Sequence, residues 1–193
     1  MAVGTDDVYK LDLNEIIAFP DSAHVPVLPP QPGESWIILA EIIQDVSAFR
    51  PVFLTRDKIG SEFIVAFYTD NPMGDVEAMK CRVGHVMCIR NGMRHRFFDG
   101  QSGYRIEDPT TTFMLPCSMA QLQQINSRLR QINDDGEMGK CIACKKQAEL
   151  RCKKCQVRYC GQSCQAKDWK DGGHRKECAI IATLRLWNRT DWG

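Results

Sequence analysis

The sequence has no long hydrophobic run and no large excess of charge of either sign. None of its apolar stretches approaches the roughly 18 residues that a membrane span needs, and residues 1–7 show no basic-then-apolar signal pattern. Its 25 Lys and Arg residues nearly balance its 24 Asp and Glu residues, which excludes a histone-like basic chain and a disordered acidic one. We therefore expect no membrane partner and an intracellular protein, in the nucleus or the cytoplasm.

The chain also lacks the short motifs that mark common enzymes. Its 193 residues contain no glycine-rich phosphate loop, no nucleophile elbow and no metal pattern with an open coordination position. We therefore predict that the protein is not an enzyme.

Prolines are concentrated at the beginning of the chain. Five of the nine lie in residues 1–33, and four of these fall in the run His24–Gly33. Proline fixes its own φ and donates no backbone hydrogen bond, so this run fits neither a helix interior nor a central strand. We predict a flexible, largely unfolded arm over residues 1–33.

Residues 34–117 have the pattern of a small antiparallel β-barrel domain. Short apolar blocks alternate with turn signals such as Asn91-Gly92 and Asp99-Gly100, which supply the positive φ angles of tight hairpins. The block 63–68 is apolar at every position, which indicates a strand covered on both faces, as in a closed barrel. Five to seven strands in about eighty residues loosely resemble the OB-fold, a small Greek-key barrel. The blocks are 36–43, 52–55, 63–68, 83–89, 93–98, 104–106 and 112–115.

Two helices are predicted after the strands, which makes the fold class α+β. Ser118 begins a capping-box pattern, and apolar residues then recur at helical spacing, so we expect a linking amphipathic helix over 118–135. A second, C-terminal helix over 179–193 would carry Ile180, Ile181, Leu184 and Trp187 along one side.

Cysteine is the residue in excess. Seven of the ten cysteines fall in residues 141–178 together with one of the four histidines. Disulfides do not persist in a reducing compartment, and doubled Cys-x2-Cys spacing is typical of zinc sites rather than of buried thiols. Eight donors make two complete tetrahedral sets with none left over, but spacing alone allows either sequential or interleaved pairing. The donors are Cys141, Cys144, Cys152, Cys155, Cys160, Cys164, His174 and Cys178.

Residues 141–178 resemble the MYND zinc finger at every ligand position. The family's accompanying features are present as Tyr159-Cys160, Cys164-Gln165 and Trp169, while the spacer Asp171-Gly-Gly173 is longer than the family pattern. The resemblance covers about a fifth of the chain and implies a cross-brace finger over 140–178 with interleaved sites. By that resemblance one zinc is held by Cys141, Cys144, Cys160 and Cys164, and the other by Cys152, Cys155, His174 and Cys178.

The resemblance also implies a use for the finger. Two closed sites leave no reactive metal position, so the metal stabilises a fold without a core of its own, and the function lies in the surface. MYND fingers dock proline-containing peptides of the form Pro-x-Leu-x-Pro, and by position Gln165 and Trp169 would form that groove, with Tyr159 as support. The expected function is an adaptor in transcriptional or other regulatory complexes. The alternative is that the side chains of Trp169 and Tyr159 are simply buried in the core of this small module.

The chain contains such a peptide itself. Pro26-Val-Leu-Pro-Pro30 fits the pattern, and extended proline segments lose little entropy on docking. We hypothesise that this segment occupies the finger of its own or a neighbouring chain; the alternative is a linker that happens to hold Leu28 at the right place.

The second functional hypothesis is single-stranded nucleic-acid binding by the OB-like domain. The segment 90–98 carries three arginines, Arg90, Arg94 and Arg96, close to the aromatic residues Phe97 and Phe98. OB-type barrels bind single strands with such combinations of cationic groups and stacking rings. The finger is a weaker candidate: its 11 basic and 4 acidic residues give a formal charge of +7, but much of that excess offsets thiolate charge.

Overall fold

The computed structural model describes residues 8–192 of the chain. These residues divide into two compact units, which we call the finger unit (8–12 and 122–190) and the sheet unit (13–121 and 191–192). None of the helices in the described part of the chain is long and apolar enough to cross a bilayer. The fold class is α+β, as the sequence predicts.

The sheet unit contains one seven-stranded sheet, one α-helix that lies wholly within it and a single 3₁₀ turn at Pro109–Thr111. All seven predicted apolar blocks form strands, within a few residues of the expected bounds. Their order in the sheet is β5-β6-β3-β2-β1-β4-β7, and all neighbours are antiparallel except the parallel pair β3–β6. The elements are β1 (Ile37–Asp45), β2 (Val52–Arg56), β3 (Glu62–Phe67), α1 (Pro72–Met79), β4 (Val86–Arg90), β5 (Arg94–Arg96), β6 (Ser102–Ile106) and β7 (Thr112–Leu115).

The core of the sheet unit follows from alternation along the strands. Ile38, Ala40 and Ile42 of β1 point to the same face and are fully buried. They pack with inward-facing residues of the neighbouring strands, including Phe53 and Phe67, whose rings meet edge to face at 6.2 Å. Burial of apolar surface, at about 25 cal/mol per Å², is therefore the main force that holds this unit together.

The sheet is not closed, so the predicted barrel is not confirmed. The edge strands β5 and β7 have three and four residues, and the sheet order does not pair them with each other. The sheet is nevertheless bent at β1, which pairs with β4 over 37–41 and with β2 over 41–45. A register shift between Ile42 and Gln44 marks a bulge there, and bulges increase the local twist.

The residues Asp70–Gly74 predict a turn, but in the structure they lead into helix α1. Asn71 is its N-cap and accepts a hydrogen bond from the Gly74 N–H at 3.3 Å, and Pro72 occupies the first turn, where proline is tolerated. The helix ends at Met79, and its C-cap residue Lys80 has a left-handed φ of 57°. Val76 and Met79 pack against the core.

The prediction of an unfolded arm over 1–33 is wrong for the stretch 9–21; residues 1–7 lie outside the described part. The segment 8–33 contains no helix or strand, but its apolar side chains are buried. In the finger unit, the Tyr9 hydroxyl donates to Asn126 Oδ1 at 2.7 Å. In the sheet unit, Phe19 is 1% exposed and packs against the Trp192 ring. Proline excludes regular structure, but it does not prevent apolar neighbours from packing.

The finger unit has three helices and one short hairpin. Helix α2 (Met119–Asp134) matches the predicted linking helix, begins in the sheet unit at the predicted cap Ser118 and continues into the finger unit. The hairpin consists of β8 (Leu150–Arg151) and β9 (Arg158–Tyr159), and α3 (Gln162–Lys170) follows it. Helix α4 (His174–Trp187) begins five residues before the predicted 179 and ends before 193, with the four predicted apolar residues buried.

Candidate metal centre

Two turns of the same design present the paired cysteines. After Cys141-x2-Cys144, the Lys145 N–H donates to the Cys141 carbonyl at 2.8 Å, and after Cys152-x2-Cys155 the Gln156 N–H donates to the Cys152 carbonyl at 2.9 Å. Lys145 and Gln156 have φ of 61° and 63°, which folds each chain back tightly. Each turn therefore presents both of its sulfurs to one side.

The other four donors come from the hairpin and the helices. Cys160 and Cys164 are spaced i, i+4, which suits one helical backbone, but Cys160 follows β9 and only Cys164 lies in the first turn of α3. His174 and Cys178 have the same spacing and lie one turn apart in α4. The long spacer Asp171-Gly-Gly173 lies between the two helices, and Gly173 has φ of 87°.

The structure brings the donors together in interleaved sets. Cys141 and Cys144 meet Cys160 and Cys164, and Cys152 and Cys155 meet His174 and Cys178. In each set all four donor atoms lie within 4.8 Å of one another. Of the two pairings that spacing leaves open, the structure has the one implied by the MYND resemblance.

The donor spacing fits zinc. Four sulfurs about 2.3 Å from a tetrahedral zinc ion lie about 3.8 Å apart, and a sulfur and an imidazole nitrogen lie about 3.6 Å apart. In the first set the Sγ atom of Cys144 lies 3.5 Å from that of Cys160 and 3.8 Å from that of Cys164. In the second set the Cys152 and Cys178 sulfurs are 3.7 Å apart, and Cys155 Sγ lies 3.6 Å from His174 Nε2.

No disulfide competes with this arrangement in the described residues. All ten cysteines of the chain are within residues 8–192 and none is bonded to another. The sulfur separations in the two sets are far longer than the roughly 2.05 Å of an S–S bond. Cys81, Cys88 and Cys117 belong to neither set, as expected of single cysteines in a strand-rich region.

The local backbone favours thiolate at one cysteine of each set. In the second set, burial would raise the pKa of Cys152, but the N–H groups of Cys155 and Lys154 and the His174 side chain lower the pKa to about 6. Burial would raise the pKa of Cys141, but N–H groups of Cys160, Cys144 and Ala143 point at its sulfur and lower the pKa to about 6. Hydrogen bonds with the Cys144 and Cys164 sulfurs instead raise the pKa of Cys160 to about 12. Crowded thiols therefore retain protons until a dication is bound, and zinc binding releases those protons.

A carboxylate lies close to the histidine ligand. The Nδ1 atom of His174 lies 4.0 Å from Asp168 Oδ2, which is too far for a hydrogen bond, and the other ring nitrogen, Nε2, faces the Cys155 sulfur. The same carboxylate oxygen accepts a hydrogen bond from the Tyr159 hydroxyl at 2.7 Å. Asp168 therefore ties α3 to β9 and lies beside the ligand on α4. No spacing rule in the sequence indicated this role.

The residues predicted to contact a peptide lie close to the second set. Gln165 and Trp169 are four residues apart in α3 and so share one face of the helix. Trp169 is 43% exposed, and its ring centroid lies 5.7 Å from that of His174. Tyr159 is fully buried and packs edge-on against the same imidazole at 5.9 Å.

The three arginines of the nucleic-acid hypothesis lie on two strands, β4 and β5, and have different surroundings. Arg90 ends β4, and Arg94 donates to the Ser22 carbonyl. The sheet unit has a large groove between the β1–β2 and β5–β6 loops. Of the three arginines, Arg96 is the one that lines this groove, together with Phe97 and Phe98. The groove also includes Arg50 and Arg105, which the sequence analysis did not single out. No spacing in the sequence marked these two arginines; the fully apolar block 63–68 indicated only that both faces of its strand are covered.

Two closed four-donor sites on cross-braced turns define a structural zinc finger, because neither site leaves a coordination position for water or substrate. Residues 141–178 match the family model of the MYND finger. This segment is therefore a zinc-binding protein-interaction module with two zinc sites.

The other comparisons concern the whole chain. No curated protein matches it. Among solved structures, a chain of the crystal structure of the S. pombe Stn1-ten1 complex is similar, with 17% identity and a TM-score of 0.31. The match covers 53% of this chain and 77% of that chain.

Proposed function

We propose that this protein is an adaptor whose finger docks short peptides of the form Pro-x-Leu-x-Pro. The observation that supports the proposal is that all eight donors belong to two closed sets. Since no coordination position is left for chemistry, what the finger offers to a partner is its surface.

Helix α3 provides the proposed docking face. Trp169 is 43% exposed, although burying a tryptophan would be favourable, and exposed aromatic rings are frequent anchors of interfaces. Gln165 is one turn away on the same helix and offers amide groups to a peptide backbone. Tyr159 is fully buried, so we assign it the support of α3 through Asp168 rather than peptide contact.

The chain's own segment Pro26–Pro30 is the natural first ligand to test. It belongs to the sheet unit, and its side chains are open to partners: Val27 is 90% exposed and Leu28 is 72% exposed. Docking of this segment on the finger of the same or a neighbouring chain would make it compete with peptides from other proteins.

A calorimetric titration tests the proposal. The zinc-loaded full-length protein is titrated with a synthetic peptide of residues 24–33. We expect saturable binding that Trp169→Ala weakens at least about tenfold, because Trp at the centre of an interface carries much of its energy. Leu28→Ala in the peptide should abolish binding, while Val27→Ala, a change at an x position, should have little effect.

Two controls keep the result interpretable. Ser163→Ala, at an exposed position in α3, should bind like the wild type, and native mass spectrometry should find two zinc ions in each variant. Leu28→Ala in the protein itself should tighten peptide binding if the segment competes for the finger. Peptide binding that is insensitive to Trp169→Ala in a two-zinc protein would refute the proposed docking face.

A further inference from the structure

The sheet unit contains an open groove of about 840 Å³ that the adaptor function does not use. One wall is the loop between β1 and β2, and the other is the loop between β5 and β6. The outward faces of β2 and β3 form the floor.

The floor of the groove is apolar. Val52, Ile64 and Ala66 line it, on the side of the sheet opposite the core residues Phe53 and Val65. A sheet face that meets only water is normally polar. The block 63–68 is apolar at every position, which indicated a strand covered on both faces. One face of this strand lies in the core, and the other lies in the groove.

Two phenylalanines stand at the rim with no cover. Phe49, from the β1–β2 loop, is 103% exposed, and Phe98, from the β5–β6 loop, is 114% exposed. Between them, Tyr68 on the floor is 36% exposed. Large aromatic side chains that face solvent together around one groove indicate an interaction site.

The groove is also cationic. The guanidinium carbon of Arg50 lies 3.9 Å from the centroid of the Tyr68 ring, and that of Arg105 lies 4.3 Å from it. Arg105 pairs with Glu107 at 2.7 Å, whereas Arg50 and Arg96 have no ion-pair partner among residues 8–192. The one acidic residue in the lining, Asp99, already accepts two hydrogen bonds from Gln101.

The geometry points to a binding site for single-stranded nucleic acid in this groove. Uncovered rings stack on the flat faces of unpaired bases, and unpaired guanidinium groups bind phosphates. A duplex keeps its bases stacked inside and offers no such faces. An acidic peptide would satisfy the arginines but would leave Phe49 and Phe98 without flat partners. The site is independent of the proposed peptide docking on the finger.

Fluorescence anisotropy of labelled twelve-nucleotide strands, (dT)12 and (rU)12, tests the inference with the full-length zinc-loaded protein. We expect binding of one or both strands at 50 mM salt and much weaker binding of a duplex of equal length. Phe49→Ala and Phe98→Ala should each weaken binding by about five- to 150-fold. Arg50→Ala should reduce the slope of log K against log salt by about 0.7.

Matched substitutions outside the groove are the controls. Met73→Ala removes an apolar side chain that is 66% exposed, and Arg82→Ala removes an exposed cation; both should leave binding unchanged. Absence of binding at 50 mM salt would overturn the inference. Binding that is unaffected by Phe49→Ala and Phe98→Ala would also overturn it, because the strand would then bind to another surface. Equal binding of the duplex or of a polyglutamate peptide would overturn it as well.

Discussion

At the scale of single residues, two positions with unusual backbone angles shape the metal centre. Lys145 and Gln156 each follow a Cys-x2-Cys pair and have left-handed φ angles, although neither is glycine. This conformation costs an L-residue roughly 1–2 kcal/mol. Gln156 offsets part of that cost, because its side-chain amide donates to the Lys153 carbonyl at 2.9 Å.

Substitutions at Gln156 should distinguish the effect of its left-handed backbone conformation from the effect of its side-chain hydrogen bond. We expect Gln156→Val to weaken zinc binding at the second set by about five- to 30-fold, because a β-branched residue fits a left-handed backbone poorly. Gln156→Gly should stay close to the wild type, since glycine adopts positive φ freely. Competition with a chromogenic chelator measures both. Equal losses in the two variants would show that the side-chain amide, not the backbone angle, is what matters.

At the scale of elements, the sheet depends on one parallel contact. Strand β6 pairs with β3 in parallel, and Gly103 lies opposite Ile64. A Cβ atom on Gly103 would lie 1.8 Å from the Ile64 carbonyl oxygen, which no backbone tolerates. The absence of a side chain at this position therefore allows the two strands to approach.

Replacing this glycine should loosen the sheet. We expect Gly103→Ala to lower the free energy of unfolding of the sheet unit by about 3 kcal/mol, because β6 must move away from β3. Thermal unfolding monitored by far-ultraviolet circular dichroism measures the loss. Ser102→Ala, at the exposed neighbouring position in β6, is the control and should change little. An unchanged melting temperature for Gly103→Ala would contradict the tight β3–β6 approach.

At the scale of the whole molecule, the two units depend on different interactions. The sheet unit has an apolar core of strand residues such as Ile38 and Phe67. The metal-binding part of the finger unit consists of a hairpin with two residues in each strand, the nine-residue helix α3 and the first turn of α4, and elements this short are not stable alone. There the free energy of zinc binding supplies much of the free energy of folding.

Removing zinc should therefore affect only part of the chain. After treatment with a strong chelator, we expect amide hydrogens in residues 141–178 to lose protection from exchange. Those in β1–β4 should keep it, since apolar burial does not depend on metal. Hydrogen–deuterium exchange with peptide-level mass spectrometry measures both regions in one experiment. Retained protection in 141–178 without zinc would contradict a metal-dependent fold.

Several features were predictable because their signals are local. The seven strands follow from apolar blocks and turn residues, and α2 follows from its cap at Ser118 and its apolar period. Helix α1 was missed because Asn71-Pro72 reads equally well as a turn or as a helix start. The packing of Tyr9 and Phe19 was missed because the prolines of residues 1–33 exclude regular secondary structure but do not determine whether apolar side chains nearby are buried.

Spacing and alternation act within a few residues of one another, so the eight zinc donors, the strand blocks and the two longest helices can be predicted from the amino-acid sequence. The order of strands that are far apart in the chain, the open sheet and the groove that Phe49, Tyr68 and Phe98 share with arginines arise only when the chain folds. The pairing of the donors into two sets lies between these cases. Spacing left it open, and only the folded turns and helices bring Cys141 to Cys160 and Cys152 to Cys178.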